Sequence, residues 1–296
     1  MRAVQVARFG GPEVLKLTEV ERPSPISTEV LVRVIAAGVN PVDCKTRRGE
    51  GVARWVGPPP FIPGWDVAGV VEATGYGVTR FKVGDNVYGM PRFPRQAGAY
   101  AEYVTAPSRQ LALIPTNISP IEAAALPLAS LTSWQSLVDV AQLGAGQTVL
   151  VHGASGGVGH LAVQIARWRG ASVIATGGRH DREALSARNV DVALDLTGSD
   201  TRSLLETLRD GGLLIAVANG AEESVVADAA RRGIRVEQPL VEPDGHALEE
   251  ISKLVESGKL KVNVEEVMPL AQAARAHERI EQGGRKGKLV LEVVHD

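Results

Sequence analysis

Hydrophobic positions follow two rhythms along the chain. As far as about Ile118 they come as short runs, Val30–Ala37, Val67–Ala73, Asn86–Gly89 and Ala99–Thr105. Turn signals separate them: Gly10-Gly11-Pro12, Gly38, Pro58-Pro59-Pro60, Pro63-Gly64, Gly84-Asp85 and Pro107-Ser108. Short apolar runs bounded by glycine and proline predict strands. Many of them ahead of any convincing helix predict a compact, partly barrel-like β domain. From Pro120 the rhythm changes. Helix formers fill Ile121–Val140, broken at Pro127, and strands then alternate with helices: strand 148–153, helix 157–169, strand 172–176, a helical piece near 181–188, strand 191–196, helix 201–209, strand 213–218, helix 222–232 and strand 234–240. That alternation predicts a parallel sheet with crossover helices. The tail carries helices at about 246–257 and 270–282 and a closing strand at 288–294. A chain of this order can return at its end to complete its first domain. The expected division is 1–119 with 244–296, and 120–243 between them.

The best-marked unit is Gln147–Ala166. Thr148–Val151 is apolar and β-branched, as a parallel strand covered on both faces should be. Gly153, Gly156, Gly157 and Gly159 follow, and then Leu161, Ala162, Ile165 and Trp168 at helical spacing. Glycines in such a turn let the backbone approach a phosphate, and a helix start offers N–H groups to an anion. The first glycine of G-x-G-x-x-G falls at Ala154, while Gly156 and Gly159 fill the other two places. A tight turn made only for packing gives similar letters. The strand–turn–helix setting favours a nucleotide.

Composition narrows the class. A chain of 296 residues buries a large core in one or two domains. Its net charge of −2 predicts no broad attraction to nucleic acid or to anionic membranes. Arg47-Arg48 and Arg231-Arg232 read as solvated basic pairs. The first residues carry no apolar segment of signal-peptide length, and no run approaches a membrane span. The single cysteine, Cys44, excludes an intramolecular disulfide. A cytoplasmic enzyme or binding protein is the expectation.

Several stretches together resemble the medium-chain dehydrogenase/reductase superfamily, in its zinc-free quinone oxidoreductase-like branch. They are Phe9-Gly-Gly-Pro-Glu-Val-Leu15, Ala37-Gly-Val-Asn-Pro-Val-Asp43, Ile62-Pro-Gly-Trp-Asp-Val-Ala-Gly-Val-Val71, Lys82-Val-Gly-Asp-Asn-Val-Tyr88, Gly98-Ala-Tyr-Ala-Glu-Tyr103, Ala123-Ala-Ala-Leu-Pro-Leu128 and the glycine loop. The resemblance implies a Rossmann-type parallel-sheet domain beside a split, GroES-like catalytic domain, with the active site in the cleft between them and a homodimer as the assembly. It also implies hydride transfer from NADPH to a quinone or an α,β-unsaturated carbonyl compound, a small-molecule substrate. The position matching the family's first zinc cysteine is Asn40, and the usual Gly-His-Glu is Gly64-Trp65-Asp66. Asn and Trp do not replace thiolate and imidazole as zinc ligands. The six histidines do not pair at metal-binding spacing. No metal is expected.

The resemblance places Asn40, Asp43, Lys45 and Thr132 near nicotinamide and substrate. Asn40 and Lys45 are the catalytic candidates: an amide donor to the substrate oxygen, and a cation for the cofactor or the developing oxyanion. It places further cofactor contacts at Ser155, Gly156, Gly157, Val158 and Gly159, at Gly177, Gly178 and Arg179, and at Thr197, Asn219 and Lys288. The turn after the second strand, Ala175–His180, holds no carboxylate to grip a ribose 2′-OH until Asp181, while Arg179 can hold a 2′-phosphate. NADPH is therefore the expected cofactor, with Arg179 as an ordinary solvated loop residue the alternative. Trp55, Trp65 and Phe93 are the candidate substrate pocket, though core aromatics give the same letters. Asn40-Pro41 also reads as turn chemistry, Asp43 as a cap or ion-pair partner, Cys44 as a small packed side chain, and Tyr100 and Tyr103 as core.

One stretch departs from the family. Arg182–Asn189 runs straight into Val190-Asp-Val-Ala-Leu-Asp195, which resembles the family's fourth strand. About one strand and one helix are missing near Asn189-Val190. Either the sheet is five-stranded or a segment is absent from the sequence. An enoyl-thioester reductase, or a catalytically weak NADPH-binding regulatory or structural protein, stands as the alternative function.

Overall fold

A computed structural model describes residues 1–177, 186 and 188–293. The chain divides into two compact units, Met1–Leu131 with Glu242–Asp296, and Thr132–Val241. In chain order the first unit opens with strands β1 (Arg2–Val6), β2 (Leu15–Glu19) and β3 (Glu29–Val39), then helices α1 (Pro41–Arg47) and α2 (Ala53–Val56). Strands β4 (Asp66–Thr74), β5 (Asn86–Gly89), β6 (Tyr103–Pro107) and β7 (Leu111–Leu113) follow, and then α3 (Pro120–Ala124) and α4 (Pro127–Trp134). The second unit carries β8 (Thr148–His152), α5 (Gly159–Trp168), β9 (Ser172–Thr176), β10 (Val190–Asp195), α6 (Thr201–Thr207), β11 (Leu208–Ala216), α7 (Glu223–Arg231) and β12 (Arg235–Glu237). The tail adds α8 (Gly245–Glu256), β13 (Val264–Pro269), α9 (Ala273–Gln282) and β14 (Lys288–Glu292).

The tail completes the first unit. Its sheet runs β13-β14-β3-β4-β5-β7, with β6 also on β3. Strand β3 is the axis. It pairs with β4 along one edge and with β6 and then β14 along the other. Val30, Val32, Val34, Ala36 and Ala37 are all fully enclosed, while Arg33 and Ile35 between them are half-buried. The register does the positioning: Leu289 lies opposite Val39, and Gly38 opposite Asp66. The side chains of Lys288 and Asp66 are thereby delivered to the end of β3, where Asn40 starts α1. A Cβ on Gly38 would lie 2.3 Å from Ala124 O and 2.9 Å from Asp66 Oδ2. Only glycine lets the carboxylate lie across the strand.

The second unit is a parallel five-stranded sheet, β12-β11-β10-β8-β9, among the described residues. Leu150, Ala193, Leu204, Leu214, Val225 and Ala229 form its core. The sheet order reverses at β8, whose two neighbours are β9 and β10, so the crevice at the strand carboxyl ends between β8 and β10 is the topological switch point. No helix among the described residues is long and apolar enough to cross a membrane.

Several sequence expectations need correcting. A helix, α1, does interrupt the β-rich region; Asn40 caps it and Pro41 fixes its first φ. The run 99–105 becomes regular strand only from Tyr103, because Ala99 and Tyr100 donate instead to Gly64 O and Pro63 O. The strand expected at 234–240 holds only Arg235–Glu237. Strands β1, β2 and β13 have polar faces and give no apolar run to find. The helix expected near 181–188 lies almost wholly outside the described residues.

Candidate functional site

At the end of β3 four polar groups meet inside the protein. Asn40 is 1% exposed, Asp66 0% and Lys288 2%. Asn40 Nδ2 donates to Asp66 Oδ2 at 2.8 Å, and Lys288 Nζ donates to Asn40 Oδ1 and lies 3.5 Å from Asp66 Oδ2. Asp66 Oδ1 accepts the Leu128 N–H, 2.8 Å away, at the start of α4. A buried carboxylate held by an amide, a backbone N–H and an ammonium is well satisfied; removing any one donor would strand charge. Burial pushes the Asp66 carboxyl up and the Lys288 ammonium down from their ordinary values.

A second set of side chains continues from this cluster along α1. Asp43 Oδ2 accepts the Asn40 N–H at 2.7 Å, half of a capping box, and the Tyr100 hydroxyl at 2.9 Å. Tyr100 Oη is 3.3 Å from His277 Nε2, and His277 Nδ1 is 3.2 Å from Arg47 Nη1. Arg47 also donates to Gly10 O and to Glu281, which takes Arg48 as well. Burial raises the Asp43 carboxyl to about 7, against the opposing hydrogen bonds from Asn40 and Tyr100. Burial and then the nearby Arg47 and Arg48 hold His277 down at about 3. Burial also pushes the Cys44 thiol up, so it is no thiolate nucleophile.

In the second unit the glycine loop closes β8. Gly153 sits at φ +87° and Gly156 donates back to Gly153 O. His160, Leu161 and Ala162 bond to Gly156 or Val158, so Gly157, Val158 and Gly159 supply the remaining donors of the helix start. A Cβ on Gly159 would lie 2.1 Å from Gly153 O, which fixes that position as glycine. Beside the loop, His152 Nδ1 meets Thr176 Oγ1 at 2.7 Å. Across the switch point, Asp195 Oδ1 accepts the N–H groups of Thr197 and Gly198, and Oδ2 accepts the Thr201 hydroxyl. The turn it shapes abuts Asn219, since a Cβ on Gly198 would come within 2.6 Å of Asn219 Nδ2.

The structure thus groups Asn40, Asp43 and Lys288 in one cluster, and Ser155–Gly159, Thr197 and Asn219 around one end of the parallel sheet. Asn40 commits its oxygen to Lys288 and one of its two amide N–H bonds to Asp66. Asp43 and Lys288 are enclosed and bind each other's neighbours instead of facing outward. Lys45 is half-buried in the last turn of α1, and Thr132 is buried in α4. Gly177 is exposed, with open space where a Cβ would lie, whereas Gly178 and Arg179 lie outside the described residues. Trp65 and Phe93 pack edge to face at 5.1 Å, the indole donating to Arg95 O; both are buried. Trp55 is 42% exposed beneath the Arg54 guanidinium. Arg47, read from sequence as solvated, is 1% exposed.

Sequence reasoning missed Tyr100, His277, Arg47 and Asp195 as site residues. One signal was available: Ala273, Ala276, His277 and Ile280 share the buried face of α9, so helical spacing puts an imidazole at a core position. Nothing local distinguishes Tyr100 from an ordinary core tyrosine.

Two family descriptions match the chain, "Alcohol dehydrogenase GroES-like domain" over residues 27–116 and "Zinc-binding dehydrogenase" over 169–291. Quinone oxidoreductase of Homo sapiens is 32% identical over 325 residues, covering 98% of this chain and 97% of that protein. The NADPH-dependent alkenal/one oxidoreductase of Arabidopsis thaliana chloroplasts is 32% identical over 318 residues, 98% of this chain and 79% of that one. The solved quinone oxidoreductase of Coxiella burnetii superposes with a TM-score of 0.90 at 33% identity, over 99% of each chain. The aligned stretch with the human protein is longer than the 296 residues here, so that relative holds positions without a counterpart in this chain.

Proposed function

The chain belongs to the medium-chain dehydrogenase/reductase superfamily, in its quinone oxidoreductase-like branch, and from that membership we propose a zinc-independent reductase that moves hydride from NADPH to a quinone or an α,β-unsaturated carbonyl compound. The observation that carries the zinc-independent reading is the Lys288 ammonium on Asn40 Oδ1, beside Asp66. Zinc sites in proteins use thiolate, imidazole and carboxylate ligands. Here the amide oxygen already binds a cation, and the neighbouring Trp65 offers only an N–H. Among the described residues no group of three or more His, Cys, Asp or Glu side chains is placed to hold a metal ion. The donor set does not fit zinc.

The residues fit a dinucleotide. Gly157, Val158 and Gly159 would take its pyrophosphate on backbone N–H groups at the start of α5. The Asp195-shaped turn at Thr197 and the Asn219 beside it stand at the switch point, where this class of sheet binds ligands. NADPH supplies, when bound, a hydride at nicotinamide C4 and a reason for Arg179. Without a metal, rate comes from holding donor and acceptor at attack distance and from N–H groups aimed at the developing oxyanion. Lys45, half-buried in the last turn of α1, is the cation to which we assign that contact. Asp43, Asn40 and Lys288 hold the turn that carries it.

The test is NADPH oxidation by the chelator-dialysed protein with quinones, enones and enoyl thioesters, and with NADH as comparator. Turnover of quinones or enones after dialysis is expected. Activity that disappears on dialysis and returns with zinc would refute the metal-free reading. A second reading, a catalytically weak NADPH-binding protein, is favoured by the five-stranded sheet. Tight NADPH binding without turnover across the whole panel would select it.

A further inference from the structure

The hydrogen bonds around His277 have a determinable direction. A guanidinium only donates, so the Arg47 Nη1 contact makes His277 Nδ1 an acceptor. The imidazole is neutral, because burial and the nearby Arg47 and Arg48 disfavour its cation. Its hydrogen therefore sits on Nε2 and points at Tyr100 Oη, 3.3 Å away. The Tyr100 hydroxyl in turn donates to Asp43 Oδ2. Arg47 to His277 to Tyr100 to Asp43, every hydrogen points one way. Such a row does not relay protons. Passing one toward Asp43 would leave an imidazolate, and passing one back would set an Nδ1–H against the N–H of Arg47.

We propose that His277 is a positioning residue of the reductase site: through Tyr100 it clamps Asp43 onto the Asn40 amide and so fixes the helical turn that carries Lys45. Four observations support a clamp over simple packing. His277 and Asp43 are both 0% exposed, so neither bond is diluted by water. Asp43 Oδ1 and Thr46 Oγ1 are buried without a hydrogen-bond partner, so Asp43 is held through Oδ2 alone. Of the two donors on Oδ2, one is the cap of α1 itself; the other, Tyr100, is the tie to a different segment. Among the described residues, polar and charged groups are also placed around His277: Cys44 Sγ, which lies 3.9 Å from His277 O, Arg47 at the end of α1 and Arg48 just after it, Tyr100 from the loop before β6, and Glu281 one turn further along α9, paired to both arginines. An apolar residue could fill this space. It could not orient the tyrosine.

The inference rests on the reductase reading of the Asn40–Lys45 end, so its test has an arm independent of turnover. Imidazole ¹⁵N shifts of the full-length protein, followed across neutral pH, report the tautomer directly. His277 is expected as the Nε2–H form without titrating; an Nδ1–H form or a titrating ring overturns the clamp. The second arm compares kcat and KM for His277→Gln, His277→Leu and Tyr100→Phe. Glutamine can accept from Arg47 and donate to Tyr100, so its kcat should stay within about twofold, while leucine and phenylalanine should lose roughly ten- to a hundredfold in kcat at similar KM, as small misplacements near reacting groups do. Equal rates for His277→Gln and His277→Leu overturn the proposal. If His277→Leu does not fold, Tyr100→Phe, which deletes one oxygen, carries the same comparison, and a wild-type kcat there overturns it. Should the wild type turn over nothing in the panel, the reductase reading fails and the ¹⁵N tautomer alone decides the clamp.

Discussion

Asp43 and His277 should give opposite pH dependences of stability that hide each other in the wild type. Asp43 rises from 3.8 to about 7 on folding, through burial first. Between those values the folded protein keeps a proton that the unfolded chain has lost. Stability attributable to Asp43 therefore falls as pH rises, by about 1.4 kcal/mol per pH unit and about 4 kcal/mol in all. His277 falls from 6.5 to about 3, again through burial first. Between those values the unfolded chain binds a proton that the folded protein refuses. Its contribution is complete above the unfolded value and is lost as pH falls, by about 5 kcal/mol in all. Where the two windows overlap, the slopes cancel. Single variants should unmask them: from about pH 7 to about pH 4, His277→Gln should gain roughly 3 kcal/mol relative to wild type, and Asp43→Asn should lose roughly 4 kcal/mol. Thermal unfolding midpoints measured over that range check this, since each kcal/mol moves a domain of this size by about 2–4 °C. If both variants run parallel to the wild type at a constant offset, the two groups do not carry these protonation states and the reasoning is wrong.

Three other outcomes are expected. Lys288→Met should cost about 3–5 kcal/mol, because it leaves the Asp66 carboxylate buried without its cation; a midpoint shift of only a degree or two would show that the ion pair is not formed. Gly159→Ala should weaken NADPH binding measured by calorimetry and lower the thermal midpoint, because its Cβ would come within 2.1 Å of Gly153 O; unchanged affinity would remove the loop from the cofactor site. Arg179→Ala should lower affinity for NADPH by about ten- to a hundredfold with little effect on NADH, the loss expected for one hydrogen bond to a charged group. An equal loss for both cofactors would reassign that residue.

What could be read from sequence followed the length scale of the interaction. The βα alternation from Thr148 to Glu237 was visible because parallel strands buried on both faces leave continuous apolar runs, and crossover helices leave a 3.6-residue period. The β-rich first unit was visible as a class, but its hairpin β1–β2 was not: Leu15–Glu19 exposes Lys16, Leu17 and Glu19 and carries no run. Asn40, Asp43 and Lys288 were found through resemblance, and their geometry was not. Asn40 and Lys288 are separated by 248 positions and meet through the register of β14 on β3. Local sequence does not encode such a register. For the same reason Arg47 looked solvated: its partners, His277 and Glu281, come from the far end of the chain.

For the proposed function, the five-stranded order among the described residues remains compatible with hydride transfer. Among the described residues β9 is the edge strand on that side, and β8 stands between it and β10. The switch point is bounded by β8 and β10, which pair in register with Val192 opposite Val149 and Asp195 opposite His152. Their carboxyl ends are therefore level, and the glycine loop and the Asp195 turn face the same end of the sheet. A strand missing beyond β9 would remove wall three strands from β10, on the side where the second strand receives the adenosine half of a dinucleotide. It leaves the pyrophosphate seat untouched, because that seat depends on Gly153 and Gly159 packing on each other and not on the neighbour of β9. The shortening should consequently appear as weaker ground-state binding of NADPH, a raised KM for the cofactor, with kcat preserved. A normal cofactor KM with depressed kcat would place the defect at the nicotinamide end and contradict this account.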